Sequence, residues 1–217
     1  MADGFNTTVL PEAFNVTWSI DYMQKNLKGN HTDVPANGIT WKLTDSFNLR
    51  FLIHYVGDIH QPLHTTSMFS EQFQNGDAGG NSFLIGNKDN IGCLHALWDS
   101  CVYEFDQDYP TPLSYDNWVK LGDISASLQK EHPIDSADIL EHLSVPEASW
   151  ADEGHTLAVN YVYNTTQNQI PTDEYVKIGQ GIVHHQLALG GYRLALLIAD
   201  IYGQPVVQQP ESDTFLN

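Results

Sequence analysis

Two stretches of this 217-residue chain carry side chains whose types and spacing suit shared chemistry. In FLIHYVGDIHQPLH, residues 51–64, His54 and Asp58 stand four apart, and His64 follows just beyond Pro62. In CLHALWDS, residues 93–100, His95 and Asp99 repeat that spacing. On a helix, residues four apart share one face, about 6 Å from each other. Imidazole nitrogen and carboxylate oxygen are ordinary zinc donors at about 2.0–2.2 Å. One such pair alone reads as a capped or hydrogen-bonded surface pair. Two pairs plus a third imidazole swung round by a proline read as a site for several metal ions. His60, in the same string, reads as a core or supporting histidine, and Asp58 beside Gly57 also suits a structural acceptor.

Helical periodicity supplies the elements that must hold these groups. Phe14, Trp18, Tyr22 and Leu27 give a helix over about 12–28, ending at Gly29. Trp41, Phe47, Phe51, His54 and Tyr55 give a second from about Thr40, stopped by Pro62. Residues 65–93, with five glycines, read as a long loop with a short hairpin around Ser82–Ile85; such loops are more often functional than idle. Helices are expected at about 94–105, 114–130, 136–143, 147–166 and 172–203. Leu187, Leu194, Ile198 and Ile201 read as the core stripe of the last, and Gly190-Gly191 as a place of close helix packing. Trp98 reads as a packing residue, and His184-His185 as surface or supporting side chains. The fold class is all-α, with one domain over 1–203 and a polar tail over 204–217.

Composition sets limits on partners. Twenty-seven Asp+Glu against nine Lys+Arg give a formal charge of −18, so no broad basic surface can hold a polyanion. A phosphate-bearing ligand would need a metal in place of Lys and Arg, and ten His make one credible. No apolar run has the length of a membrane span; Leu194–Ile201 is the best and far too short. The start, MADGFNTT, does not read as a signal peptide. Four N-x-S/T sequons, at Asn6, Asn15, Asn30 and Asn164, are candidate glycosylation sites or plain polar loops. Cys93 and Cys101 are either a disulfide or two buried thiols. One helix carrying both would hold them about 12 Å apart, too far to bridge, unless Cys93 precedes it.

The strings FLIHYVGDIHQPLH, GDAGGN, LHALWDS and GGYRLA occur in that order and resemble the S1/P1 nucleases. These are zinc-dependent single-strand nucleases and 3'-nucleotidases with a helical fold shared with zinc phospholipase C. The resemblance runs from about Asn15 to Tyr202. It implies three zinc ions in a cleft: one on His64, His95 and Asp99, a second on His54, and a third joined to the second through a bridging Asp58. It implies hydrolysis of single-stranded DNA, RNA and 3'-nucleotides by zinc-activated water, with Asp58 at the catalytic centre. Asn81 matches a position near the base pocket, with Asp77 and Gly79-Gly80 shaping the loop and Asp77 placed with Asn81 among the substrate-binding residues. It further implies a monomer that is secreted or held in a lysosomal or endomembrane lumen, without a membrane partner.

The chain also departs from the family. An amino-terminal Trp, a nearby His, and a later Asp and His complete the family's ligand set, and residues 1–13 contain neither His nor Trp. His31 is in the wrong place to substitute. The reading is of a chain that starts inside a longer frame, with a shortened paralogue as the alternative. Nearer one bound zinc than three is expected, with weak turnover. A zinc phospholipase C and a non-catalytic zinc-binding remnant are the rival functions.

Overall fold

The computed structural model describes residues 13–31, 40–105, 107 and 109–203. The Asn6 sequon, Phe5 and the tail 204–217 lie outside the described residues. Seven α-helices are found among the described residues: α1 (Val16–Leu27), α2 (Trp41–Asp58), α3 (Leu94–Asp99), α4 (Tyr115–Glu131), α5 (Ala137–Leu143), α6 (Trp150–Leu157) and α7 (Asp173–Tyr202). One antiparallel hairpin, β1 (Leu84–Lys88) with β2 (Ile91–Cys93), interrupts them. The expected all-α class is observed.

Caps explain most boundaries. Asn15, Thr40, Ser114, Ser136 and Thr172 each accept a backbone N–H through the side chain at the start of α1, α2, α4, α5 and α7. Helix α7 stops at Gly203, whose φ of 86° suits glycine.

Three departures from periodicity have local causes. The expected helix over 94–105 ends at Asp99, because Cys101, Val102 and Tyr103 take φ of 53°, 55° and 67°. The expected helix over 147–166 is a 3-10 turn, then α6, then a π-helical turn over Ala158–Val162. The hairpin in the long loop is longer than expected and lies further on. Asp89 and Asn90, both at positive φ, reverse the chain, as in the turns that suit two-residue hairpins. Strand β2 runs directly into α3, so the hairpin aims the helix bearing His95 and Asp99.

Two apolar cores lie behind the two His/Asp helices. Ile20, Met23, Leu52, Val56, Ile59, Trp150 and Leu197 form one, and Leu63, Phe83, Leu94, Leu97, Trp98, Val102 and Val183 anchor the other. Along α2, Leu52 and Val56 face the core, and His54 and Asp58, each two residues on, point roughly the opposite way. Burying one face therefore presents the other. Trp98 packs as expected, 3% exposed, and donates from Nε1 to the Tyr175 hydroxyl at 2.9 Å.

The expected stripe on α7 needs correction. Leu187 is exposed at 44%, and Ile198 is only half-buried. The buried face runs through Val183, Gln186, Leu189, Arg193 and Leu197, flanked by Leu194 and Ile201. Two polar residues on that face, Gln186 and Arg193, shift the apparent apolar register. Gly190 does allow close packing: a Cβ there would stand 3.2 Å from the His60 ring, whereas Gly191 meets nothing. Cys93 precedes α3, yet both cysteines are free thiols, and burial pushes the Cys101 thiol up to about 11.

Candidate metal centre

Helix α2, the Pro62–His64 turn and helix α3 bring the predicted residues together. His54 Nε2 is 3.2 Å from Asp58 Oδ2, and His95 Nε2 is 3.3 Å from Asp99 Oδ2. His64 stands between the two pairs. Its Nε2 is 3.2 Å from Asp99 Oδ1, and its Nδ1 is 3.5 Å from Asp58 Oδ1. The His64 and His95 rings stack with centroids 5.2 Å apart. Pro62 makes this possible: Gln61 caps a 3-10 turn, and the chain bends so that His64 faces α3.

The surrounding loop fixes the tautomer of His95. Its Nδ1 donates to the Gly79 carbonyl at 2.7 Å, so Nε2 carries the lone pair toward Asp99. That carbonyl can approach only because residue 79 is glycine. Its φ is 63°, and a Cβ there would come within 2.5 Å of the Leu63 carbonyl oxygen. Gly80, at φ 84°, packs as closely against Leu63 and the His95 backbone.

His64, His95 and Asp99 each offer one donor atom, all within 4.8 Å of one another. Donors around a tetrahedral zinc at about 2.1 Å stand roughly 3.4 Å apart, and each imidazole stands near that spacing from one oxygen of Asp99, His64 from Oδ1 at 3.2 Å and His95 from Oδ2 at 3.3 Å. His54 and Asp58 form a two-donor set beside it. The hydrogen bond to Asp99 holds His64 above its ordinary value, and the same bond holds Asp99 below its own.

A cavity of about 720 Å³ opens on His64, His95 and Asp58, lined also by Phe14, Tyr55 and Gly79 among others, with no Lys or Arg in its wall, while Asp99 lines a neighbouring cavity. Phe14, one of the early aromatics, is 73% exposed at its rim. Asn81 is exposed on the neighbouring loop, with Nδ2 donating to the Ala78 carbonyl at 2.9 Å.

Asp77 has the loop-shaping part expected of it, and its burial sets it apart from the substrate contact also expected. It has no exposed surface, and its carboxylate accepts from Ser67 Oγ, the Met68 N–H and the Tyr163 hydroxyl at 3.2, 2.9 and 2.8 Å. It therefore holds the loop that carries Gly79 and Asn81.

His60 has the structural role expected. Burial pushes it down to about 4; Nδ1 donates to the Val56 carbonyl at 2.7 Å, and Nε2 accepts from Arg193. Residues 30, 15 and 164 of the sequons are exposed, although Asn15 Oδ1 is engaged as a helix cap. Sequence reasoning missed Gln61, whose Nε2 donates to Asp99 Oδ1 at 2.9 Å; its only signal is its place before Pro62.

Fold and site together define a helical protein that gathers His and Asp from two helices and a turn at the mouth of one cavity. The chain belongs to the S1/P1 nuclease family, whose model matches residues 4–203. It is 30% identical to Endonuclease 5 of Arabidopsis thaliana over 169 residues, which is 76% of this chain and 54% of that protein. It is 29% identical to Nuclease S1 of Aspergillus oryzae, over 72% of this chain and 55% of that one. With Nuclease P1 of Penicillium citrinum the identity is 26%, over 74% and 59%. The chain thus spans about half the length of these relatives. Among the described residues, no helix is long and apolar enough to cross a membrane.

Proposed function

We propose that this domain serves zinc-dependent hydrolysis of phosphodiester bonds in single-stranded DNA and RNA, with 3'-nucleotidase activity. The observation that carries the reading is the convergence of His64, His95 and Asp99, with both imidazoles in the wall of a cavity that has no Lys or Arg. A phosphate entering there would meet the Asp58 carboxylate and no Lys or Arg, a repulsion that a cation between them would relieve. Zinc held by His64, His95 and Asp99 supplies Lewis acidity at phosphate and lowers the cost of ionising water.

The chain's own residues position the reaction. Gly79 and Gln61 orient His95 and Asp99, and the hydrogen bond between His64 and Asp99 keeps both side chains aimed at the cavity. Phe14 and Tyr55 offer aromatic faces to a splayed base, and the free Oδ1 of Asn81 accepts from its edge. A base paired in a duplex would have to unstack first, which favours single strands. His54 and Asp58 form a further ligand pair, with Asp58 facing both His54 and His64 and so suited to a bridging, catalytic place. The reading carries with it a secreted or lumenal setting, a glycoprotein, a monomer and no membrane partner.

Turnover by this chain is expected to be weak, because among the described residues His54 and Asp58 are joined by no third donor of their own, whereas His64, His95 and Asp99 make a set of three. Hydrolysis of a single-stranded oligonucleotide should vanish on chelation and return with zinc. His95→Ala and Asp99→Asn should each reduce it more than about 100-fold, beyond the loss typical of an outer ligand partner, with helicity intact. Full activity in a metal-stripped sample would sink the proposal. Hydrolysis of phosphatidylcholine instead of RNA or single-stranded DNA would favour a phospholipase C.

A further inference from the structure

A second cluster lies on elements that the first does not use. Asp138 and His142 stand four apart on α5, as His95 and Asp99 do on α3, and His185 approaches them from α7. Each offers one donor atom, and the three lie within 4.8 Å of one another. All three line a cavity of about 390 Å³ that leaves room for a further, non-protein ligand.

Hydrogen bonds around the cluster fix which ring nitrogens carry lone pairs. Gln186 is buried, and its Nε2 donates to the His60 carbonyl at 3.2 Å, so its Oε1 is the acceptor for His185 Nδ1 at 3.3 Å. The lone pair of a neutral His185 therefore sits on Nε2. That atom is buried, makes no hydrogen bond, and stands 3.0 Å from Asp138 Oδ2. A lone pair facing a carboxylate at that distance is repulsive unless a cation or a proton is shared between them.

His142 is prepared in the same sense. Its Nδ1 donates to Glu153 Oε1 at 2.7 Å, and Arg193 Nη2 lies 2.6 Å from the other oxygen of that side chain, Oε2. Arg193 Nη2 also donates to the His142 carbonyl at 2.7 Å, tying ring and backbone to one anchor. A carboxylate behind one imidazole nitrogen makes the other a better and better-aimed metal donor. Two imidazoles and a carboxylate with a position left open match zinc chemistry.

We propose that Asp138, His142 and His185 form a second binding site for a divalent transition ion of the zinc class, separate from the cluster at His64, His95 and Asp99. The site is independent of hydrolysis and is read by metal stoichiometry.

The test is zinc titration of the chelator-stripped chain, with bound metal measured by mass spectrometry after desalting. A His95→Ala/Asp99→Ala variant should retain about one equivalent. Adding Asp138→Ala, a change at an exposed side chain, should weaken that remaining ion at least tenfold. Zinc should also move the ring-nitrogen resonances of His142 and His185 in the unmutated chain, a readout that no substitution can confound. No bound zinc in the first variant, a retained ion indifferent to Asp138→Ala, or silent His142 and His185 resonances would each overturn the proposal. In the last case His185 would simply be protonated toward Asp138.

Discussion

His64 Nε2 lies 3.2 Å from Asp99 Oδ1, although 35 residues and a hairpin separate them in the chain. That bond raises His64 from its ordinary 6.5 and lowers Asp99 from its ordinary 3.8. In the metal-free chain the raised His64 contributes stability that is full below 6.5 and lost as pH rises through its folded value. The lowered Asp99 contributes stability that is present above 3.8 and lost as pH falls through its own. In chelator, the melting temperature of the unmutated chain relative to His64→Ala should therefore be highest between about pH 4 and 6.5 and narrow as pH rises through the folded value of His64. Zinc needs His64 neutral, so its affinity should run the other way and rise with pH. A melting difference flat from pH 4 to 9 would contradict the assignment.

Gly79→Ala should injure the metal site from outside it. The substitution forces a positive φ on alanine and drives its Cβ toward the Leu63 carbonyl, at a cost of about 1–3 kcal/mol. The carbonyl that aligns His95 would shift, and zinc affinity should drop about 10–100-fold. Calorimetric zinc titration of the variant checks this; unchanged affinity would mean that His95 does not depend on the loop.

Asp77→Ala should act on stability. The change leaves the Tyr163 hydroxyl and the Met68 N–H buried without their acceptor, a loss of about 1–3 kcal/mol for each. Thermal melting should fall by several degrees, at about 2–4 °C per kcal/mol for a chain of this size. A variant that melts normally and loses only substrate affinity would restore Asp77 to a direct binding role.

Asn81→Ala should separate base reading from metal binding. Zinc stoichiometry should stay unchanged, because Asn81 is exposed and touches no donor of the cluster. KM for single-stranded oligonucleotides should rise about tenfold, the scale of one lost hydrogen bond to a base. Equal KM values for variant and parent would remove Asn81 from the substrate pocket.

The five groups of the site were legible because each local rule worked within a single element. Four-residue spacing puts His54 with Asp58 and His95 with Asp99, and the buried residues between them show which face each pair takes. Pro62 marked the bend that carries His64 round. Less was legible where one element reads another. Nothing in the spacing shows that the Gly79 carbonyl meets His95, that Gln61 reaches Asp99, or that Asp77 is buried under Tyr163.

Helix α7 shows the same limit most clearly. By periodicity, Leu187 belonged to the core, and packing exposed it; His185, read as a surface or supporting side chain, stands against Asp138 and His142. Gln186 and Arg193 face inward where the His60 carbonyl receives Gln186 Nε2, and His60 Nε2, Glu153 and the His142 carbonyl receive the two Nη atoms of Arg193. The sequence by itself determined which helices form, which donors share a face and, through its acid excess, that no broad basic surface is offered to a polyanion. Only tertiary structure decided which donors from different helices meet, because a buried polar group is tolerated where a distant partner arrives to satisfy it.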